Sequence, residues 1–195
     1  MNSLGSLTPL LDPLAALQRL LSRFNDRGII IGGIAASLLG RPRLTADLDA
    51  LFLLSIDEIP HLIKSANEEG IVPRMENVEE FAKKHRVLLL RHRESGTNID
   101  ISLGILPFEE EAVEHSRLYQ VSSLSIRLPT PEDLIILKAV AHRPIDMSDI
   151  KAIIESHPDL DTQRIETWVR QFADGLEMPE LWGDIAELLG KSGDD

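Results

Sequence analysis

Asp47 and Asp49 stand one residue apart in "TADLDALFLL" (45–54), a stretch otherwise apolar enough to be a buried strand. Burying unpaired carboxylates is expensive, so the pair needs a compensating charge. In a strand, residues i and i+2 point to one face, about 6.5–7 Å apart along the chain. Asp47 and Asp49 therefore project together, while Ala46, Leu48 and Ala50 face the other way. A second strand-like segment, "NIDISLG" (98–104), puts Asp100 on a polar face with Asn98 and Ser102, opposite Ile99, Ile101 and Leu103. With the two strands side by side, three carboxylates converge. Hard oxygen donors of this kind suit Mg2+ or Mn2+, which keep waters and take phosphate oxygens from a substrate. Two such ions about 3.5–4 Å apart clamp the attacking and leaving oxygens of a phosphoryl displacement. The competing reading makes Asp47 a strand-edge turn residue and Asp49 an ion-pair partner of Arg41 or Arg43.

Upstream, "RGIIIGG" (27–33) reads as a short buried strand ending in a glycine turn, and "IAASLLG" as a helix closed by Gly40. Gly32 and Gly33 serve a tight strand-to-helix turn for backbone reasons alone. They also open a helix whose free N–H groups can face an anion. The other elements follow from periodicity. A helix is expected over 13–26, another from Ser55 to Gly70, and a short one over 77–84. Strands at 86–92 and 98–104 form a hairpin around "RESGT", with His85 and His92 at its flank facing solvent. The Glu109–Glu111 run starts a helix in keeping with the helix dipole. Residues 119–128 are a strand pair or one bent strand. "TPEDLIILKAVAHR" is a helix with Thr130 as its cap, Pro131 at the first position and Asp133 closing a capping box. Three more helices are expected near 146–156, 161–174 and 178–189. On helical spacing alone Lys138 is a solvated surface lysine, and Asp146 the cap of the next helix with Asp149 in its first turn.

The order gives an α/β (α+β) fold: a small mixed sheet flanked by helices over residues 1–143, then a helical region over 144–195. With 195 residues and 43% hydrophobic content the chain can build a real core, which at 4% aromatics is mainly Leu, Ile, Val and Ala. The absence of cysteine excludes disulfides, thiolate zinc sites and cysteine nucleophiles, and fits a cytoplasmic protein. No signal peptide or membrane span is read; Asp12 and Pro13 interrupt the apolar N-terminal stretch. Net charge is −12, of which −8 falls from Glu155 onward, so the C-terminal helices offer no broad nucleic-acid face. One basic run, "KKHRVLLLRHR" (83–93), is available to track a phosphate backbone or to edge a strand.

Gly-Gly, a short helix, Asp-x-Asp on a strand and a third Asp on a later strand resemble the signature of the nucleotidyltransferase superfamily. "RLTADLDALF" is especially similar to the stand-alone bacterial nucleotidyltransferases related to the AbiEii abortive-infection toxins. "PEDLIILKAVAHRPIDMSDI" (131–150) resembles that family's helical motif, with Lys138, Arg143, Asp146 and Asp149 at its charged positions. The resemblance spans roughly residues 28–150. It implies a nucleoside triphosphate held by two Mg2+ (or Mn2+) and transfer of a nucleoside monophosphate to an acceptor hydroxyl. That acceptor is an RNA 3′ end, a protein or a small molecule. Asp47 and Asp49 would bridge the metals, and Asp100 would hold one of them and take the acceptor's proton. Gly32 and Gly33 would cradle phosphate, Thr45 would add a hydroxyl, Arg41 or Arg43 would offset developing charge, and Lys138 would reach the phosphates. Resemblance alone adds a toxin role, with an antitoxin protein as partner. The alternative is a module of the same fold that binds nucleotide or a partner without turnover.

Overall fold

The computed structural model describes residues 7–190. The first six residues of the stretch read as lacking a signal peptide, and residues 191–195, lie outside it. Two compact units are present: Met1–Ile34 with Arg43–Pro129, and Ala35–Pro42 with Thr130–Asp195. No helix among the described residues is long and apolar enough to cross a membrane.

The first unit opens with helix α1 (Leu11–Arg23), whose Leu14, Leu17, Leu20 and Leu21 are buried at helical spacing. Strand β1 (Gly28–Ile31) runs directly into helix α2 (Gly32–Leu39), with the glycine pair at the junction. Strand β2 (Leu48–Phe52) follows an irregular loop. The helix expected from Ser55 divides into a 3-10 turn at Ile56–Glu58, capped by Glu58 accepting from the Ser55 N–H at 2.9 Å, and helix α3 (Ile59–Glu68). Next come strand β3 (Ile71–Pro73), helix α4 (Val78–His85) and the hairpin of β4 (Val87–His92) and β5 (Asn98–Leu103). Helix α5 (Pro107–Glu114) starts where Glu109 accepts from the Ile105 and Leu106 N–H groups at 2.7 and 2.8 Å. Residues 119–128 resolve as a pair, β6 (Arg117–Val121) and β7 (Leu124–Leu128), antiparallel and separate from the main sheet.

The main sheet has the order β1-β2-β5-β4-β3. Only β2 and β5 run parallel; the other neighbours are antiparallel. β3 has no counterpart in the sequence reading: three residues with a proline carry no alternation to detect. One sheet face, with Ile30, Leu48, Ala50, Phe52, Leu88, Leu90, Ile99, Ile101 and Leu103, is buried. Phe24, just after α1, meets Phe52 edge-on at 6.1 Å on that face. His92 shares the alternation of Leu88 and Leu90, so it is buried rather than solvent-facing, with Nδ1 3.0 Å from Ser95 Oγ. The opposite face carries Asp49, Asn98, Asp100 and Ser102 and is half-exposed.

The second unit contains α6 (Pro131–Ala141), α7 (Pro144–Ser156), α8 (Thr162–Leu176) and α9 (Glu180–Leu188). Thr130 caps α6 by accepting from the Asp133 N–H at 3.1 Å. The reciprocal half of the expected capping box gives way to a buried ion pair, since the Asp133 carboxylate takes Arg164 at 2.8 Å. Ile135, Ile136, Ile150, Ile153, Ile165, Val169, Leu181 and Ile185 form this unit's core.

Candidate active site

Parallel pairing of β2 with β5 sets Asp49 directly opposite Asp100. Neighbouring strands lie about 4.8 Å apart, so two carboxylates on one face at matched register repel each other unless a cation intervenes. Asp47 sits one residue before β2, not on it. Pairing with β5 stops at Leu48↔Ile99, and with β1 at Asp49↔Ile31, so no ladder partner remains for it. A side chain holds it instead: Asn98 Nδ2 donates to Asp47 Oδ1 at 3.1 Å.

Asp100 is held between opposing influences. Burial pushes its carboxyl above the usual range, Arg74 pulls it down, and Asp47 adds a smaller upward push. Arg74 Nη2 lies 2.9 Å from Oδ1 and 3.2 Å from Oδ2, and only the second contact has hydrogen-bond geometry. The buried Oδ1 therefore accepts no hydrogen bond.

The α2 N-terminus borders these acids. Gly32 has φ +63°, and a Cβ there would collide with the Asp49 carboxylate. Only glycine meets both conditions. A Cβ on Gly33 would lie 2.5 Å from Thr45 Oγ1 and 3.3 Å from an Arg43 guanidinium nitrogen. Thr45 Oγ1 also donates to the Asp47 carbonyl at 3.2 Å. Gly32, Gly33, Arg43, Thr45, Asp47, Asp49 and Asp100 are thus neighbours through these contacts, all within the first unit. Arg41 is elsewhere, paired with Glu155 in the second unit at 2.5 Å.

The sequence matches, over residues 13–178, the family described as nucleotidyl transferase of unknown function (DUF2204). The chain belongs to that family. No curated protein matches it in sequence. Among solved structures it is similar to an antigenic nucleotidyltransferase-like protein from Paracoccidioides brasiliensis. That pair shows 18% identity and a TM-score of 0.55, with 93% of each chain covered. It is also similar to the antibiotic-resistance factor ANT(2'')-Ia, at 16% identity and a TM-score of 0.56, covering 86% of this chain and 95% of that one. The mixed sheet flanked by helices is the nucleotidyltransferase fold.

In this nucleotidyl transferase Lys138 belongs to the second unit and is not a surface lysine. It is 4% exposed, with Nζ 2.9 Å from Asp146 and 2.8 Å from Asp149. Asp146, at the third position of α7 rather than its cap, also takes Arg143 Nε at 2.6 Å and Nη2 at 3.1 Å. Burial alone would push its carboxyl up, but the Arg143 and Lys138 bonds outweigh it and hold the group below the usual range.

The basic run 83–93 is not a continuous cationic track. Lys83 pairs with Glu79 at 2.6 Å and Arg93 reaches Asn67 at 2.6 Å. Arg86, with φ +55°, donates to the Leu103 carbonyl at 2.8 Å. A 300 Å³ hollow beside Arg19, Glu69 and His92 and a 500 Å³ one beside Asn77 and Lys83 are lined by other residues than these acids. Asp47 is exposed, and Asp49 and Asp100 are half-exposed. Arg74 and the Asn98–Asp47 bond are the features sequence reasoning missed. Asn98 was visible on the polar side of its strand, whereas Arg74 follows a strand too short to announce itself.

Among the described residues, no three His, Asp or Glu side chains stand as a ready metal cage. The donors nevertheless suit a hard cation. Asp49 and Asp100 face each other in register, and a buried carboxylate oxygen of Asp100 lacks a hydrogen bond.

Proposed function

We propose that the protein transfers a nucleoside monophosphate from a nucleoside triphosphate to an acceptor hydroxyl, with Asp47, Asp49 and Asp100 holding Mg2+ or Mn2+. The observation that carries this is the in-register Asp49–Asp100 pair beside the glycine turn of α2. When bound, the divalent ions supply charge neutralisation and alignment for an in-line displacement at the α-phosphorus. The chain does the rest. Gly32 and Gly33 bring backbone N–H groups within reach of phosphate, because the absence of side chains there lets ligand oxygens approach. Arg43 and Thr45, packed against Gly33, add a guanidinium and a hydroxyl toward the same oxygens. Asp100, its basicity raised by burial, accepts the acceptor's proton as the new P–O bond forms and pyrophosphate leaves. Lys138 is the further phosphate contact that the resemblance implies; serving it would require release of a bond to Asp146 or Asp149.

The finer likeness to AbiEii-type toxins and an antitoxin partner are part of this reading and rest on the "RLTADLDALF" and 131–150 motifs; a cytoplasmic location is part of it too and rests on the cysteine-free composition. The acceptor is an RNA 3′ end, a protein or a small molecule. Dispersal of the basic run weighs against an extended RNA track, so binding of RNA is expected to show a shallow salt dependence. One observation favours a second reading, a binding module without turnover: Arg74 already neutralises Asp100.

Calorimetric titration of each of the four triphosphates with Mg2+ or Mn2+ separates these readings. Wild-type protein is expected to bind at least one triphosphate only with metal present, and Asp47→Ala/Asp49→Ala to lose that binding. Transfer of an α-labelled phosphate with release of pyrophosphate then identifies turnover. Metal-dependent binding with no transfer to any acceptor class favours the module. Absence of metal-dependent binding sinks the proposal.

A further inference from the structure

Arg74 follows directly on β3, yet its side chain ends on β5. Its backbone N–H donates to the Leu89 carbonyl at 3.2 Å, and Leu89 is the β4 register partner of Asp100. The main chain is therefore fixed while the side chain reaches across β4 to β5. At its end a single nitrogen, Nη2, lies between the two oxygens of Asp100, 2.9 Å from one and 3.2 Å from the other. A cation between both oxygens of a carboxylate stands where a bidentate metal ion would stand. The bond is also poor for an arginine: one nitrogen is used instead of the two-pronged fork, and the buried Oδ1 is left without a hydrogen bond.

We propose that Arg74 is a place-holding cation, neutralising Asp100 in the metal-free enzyme and yielding that position to the divalent ion. This rests on the metal-dependent reading above. Three facts make the guanidinium displaceable. Among the described residues Asp100 is its one ionic partner. Its side chain is 26% exposed, so water can solvate it once released. Unlike Arg86, whose guanidinium is tied to backbone carbonyls, it is held by nothing that must break besides the Asp100 contact. Without Arg74, the Asp100 carboxylate, already disfavoured by its burial, would lose the cation that offsets that cost whenever the metal was absent.

The test is a Mn2+ titration, without nucleotide, followed by the paramagnetic signal of free Mn2+. Arg74→Gln removes the competitor and is expected to bind Mn2+ about fivefold more tightly than wild type, the equivalent of one partly exposed ion pair. Arg74→Lys keeps a competing charge and is expected to stay near wild type, and Asp100→Asn to lose the site. An unchanged or weaker affinity in Arg74→Gln, with wild type binding normally, overturns the place-holder and leaves the metal reading standing. Absence of any Mn2+ binding that depends on Asp49 and Asp100 overturns both. A measurement on unaltered protein guards against a misfolded variant: labelling of Arg74 by phenylglyoxal, read by mass spectrometry. Mn2+ is expected to accelerate it; labelling that is unchanged or slowed by Mn2+ overturns the proposal.

Discussion

Two groups of acids in this chain have similar side chains and opposite circumstances. In the helical unit, Asp146 and Asp149 are buried against Lys138 and Arg143, and Asp133 against Arg164. On the half-exposed sheet face, Asp47 takes the amide of Asn98, and Asp100 takes a single nitrogen of the Arg74 guanidinium. Burial explains the difference. A carboxylate withdrawn from water must bring its own cation, and doing so makes it part of the structure. A half-exposed carboxylate can stay under-neutralised, and the charge it leaves uncompensated is what a metal or substrate can use. Charge count does not separate the two groups; burial does.

The comparison breaks most visibly at Lys138. Lys138→Met removes the cation from between two buried carboxylates, with Arg143 remaining on Asp146, and is expected to lower stability by about 3–5 kcal/mol, read from urea denaturation at neutral pH. Asp49→Asn is expected to leave stability within about 1 kcal/mol while removing metal-dependent triphosphate binding. The reverse pattern would abolish the distinction. Gly32→Ala sits between these: a left-handed backbone is expected to cost an L-residue about 1–2 kcal/mol, and displacement of Asp49 takes triphosphate binding with it. Gly33→Ala has an ordinary φ, so it is expected to weaken binding through Thr45 and Arg43 with the smaller stability loss.

The smallest effects are in the pH dependence of stability, and they have opposite signs. The Asp146 carboxyl lies below its unfolded value, so it contributes stability above the unfolded pKa that is lost as pH falls through the folded one. The Asp100 carboxyl lies above its unfolded value, so the native state holds its proton more tightly and gives up stability as pH rises through that window. Urea midpoints measured across the acid range should flatten on the acid side in Asp146→Asn. In Asp100→Asn the midpoint at neutral pH should rise slightly.

Much was legible before any coordinates. The i, i+2 spacing of Asp47 and Asp49, the alternation around Asp100 and the glycine pair before a helix are local patterns, and local patterns survive in a string of letters. The helices from Thr130 onward were readable for the same reason, since caps and 3.6-residue periodicity act within a few residues. Placement that depends on a distant partner was not readable. Lys138 looked solvent-facing because its burial depends on two acids one helix further on. His92 looked exposed because its burial depends on which sheet face is covered.

The sequence by itself determined that Asp49 and Asp100 each lie on the polar side of an otherwise apolar strand, because side-chain direction in a strand is a property of the chain alone. Only the tertiary structure decided that β2 and β5 run parallel at a register opposing Asp49 to Asp100, and that the ladder ends before Asp47. It alone set Arg74 between the oxygens of Asp100. Register and reach across a sheet are fixed by pairing between segments some fifty residues apart, and no local preference encodes them.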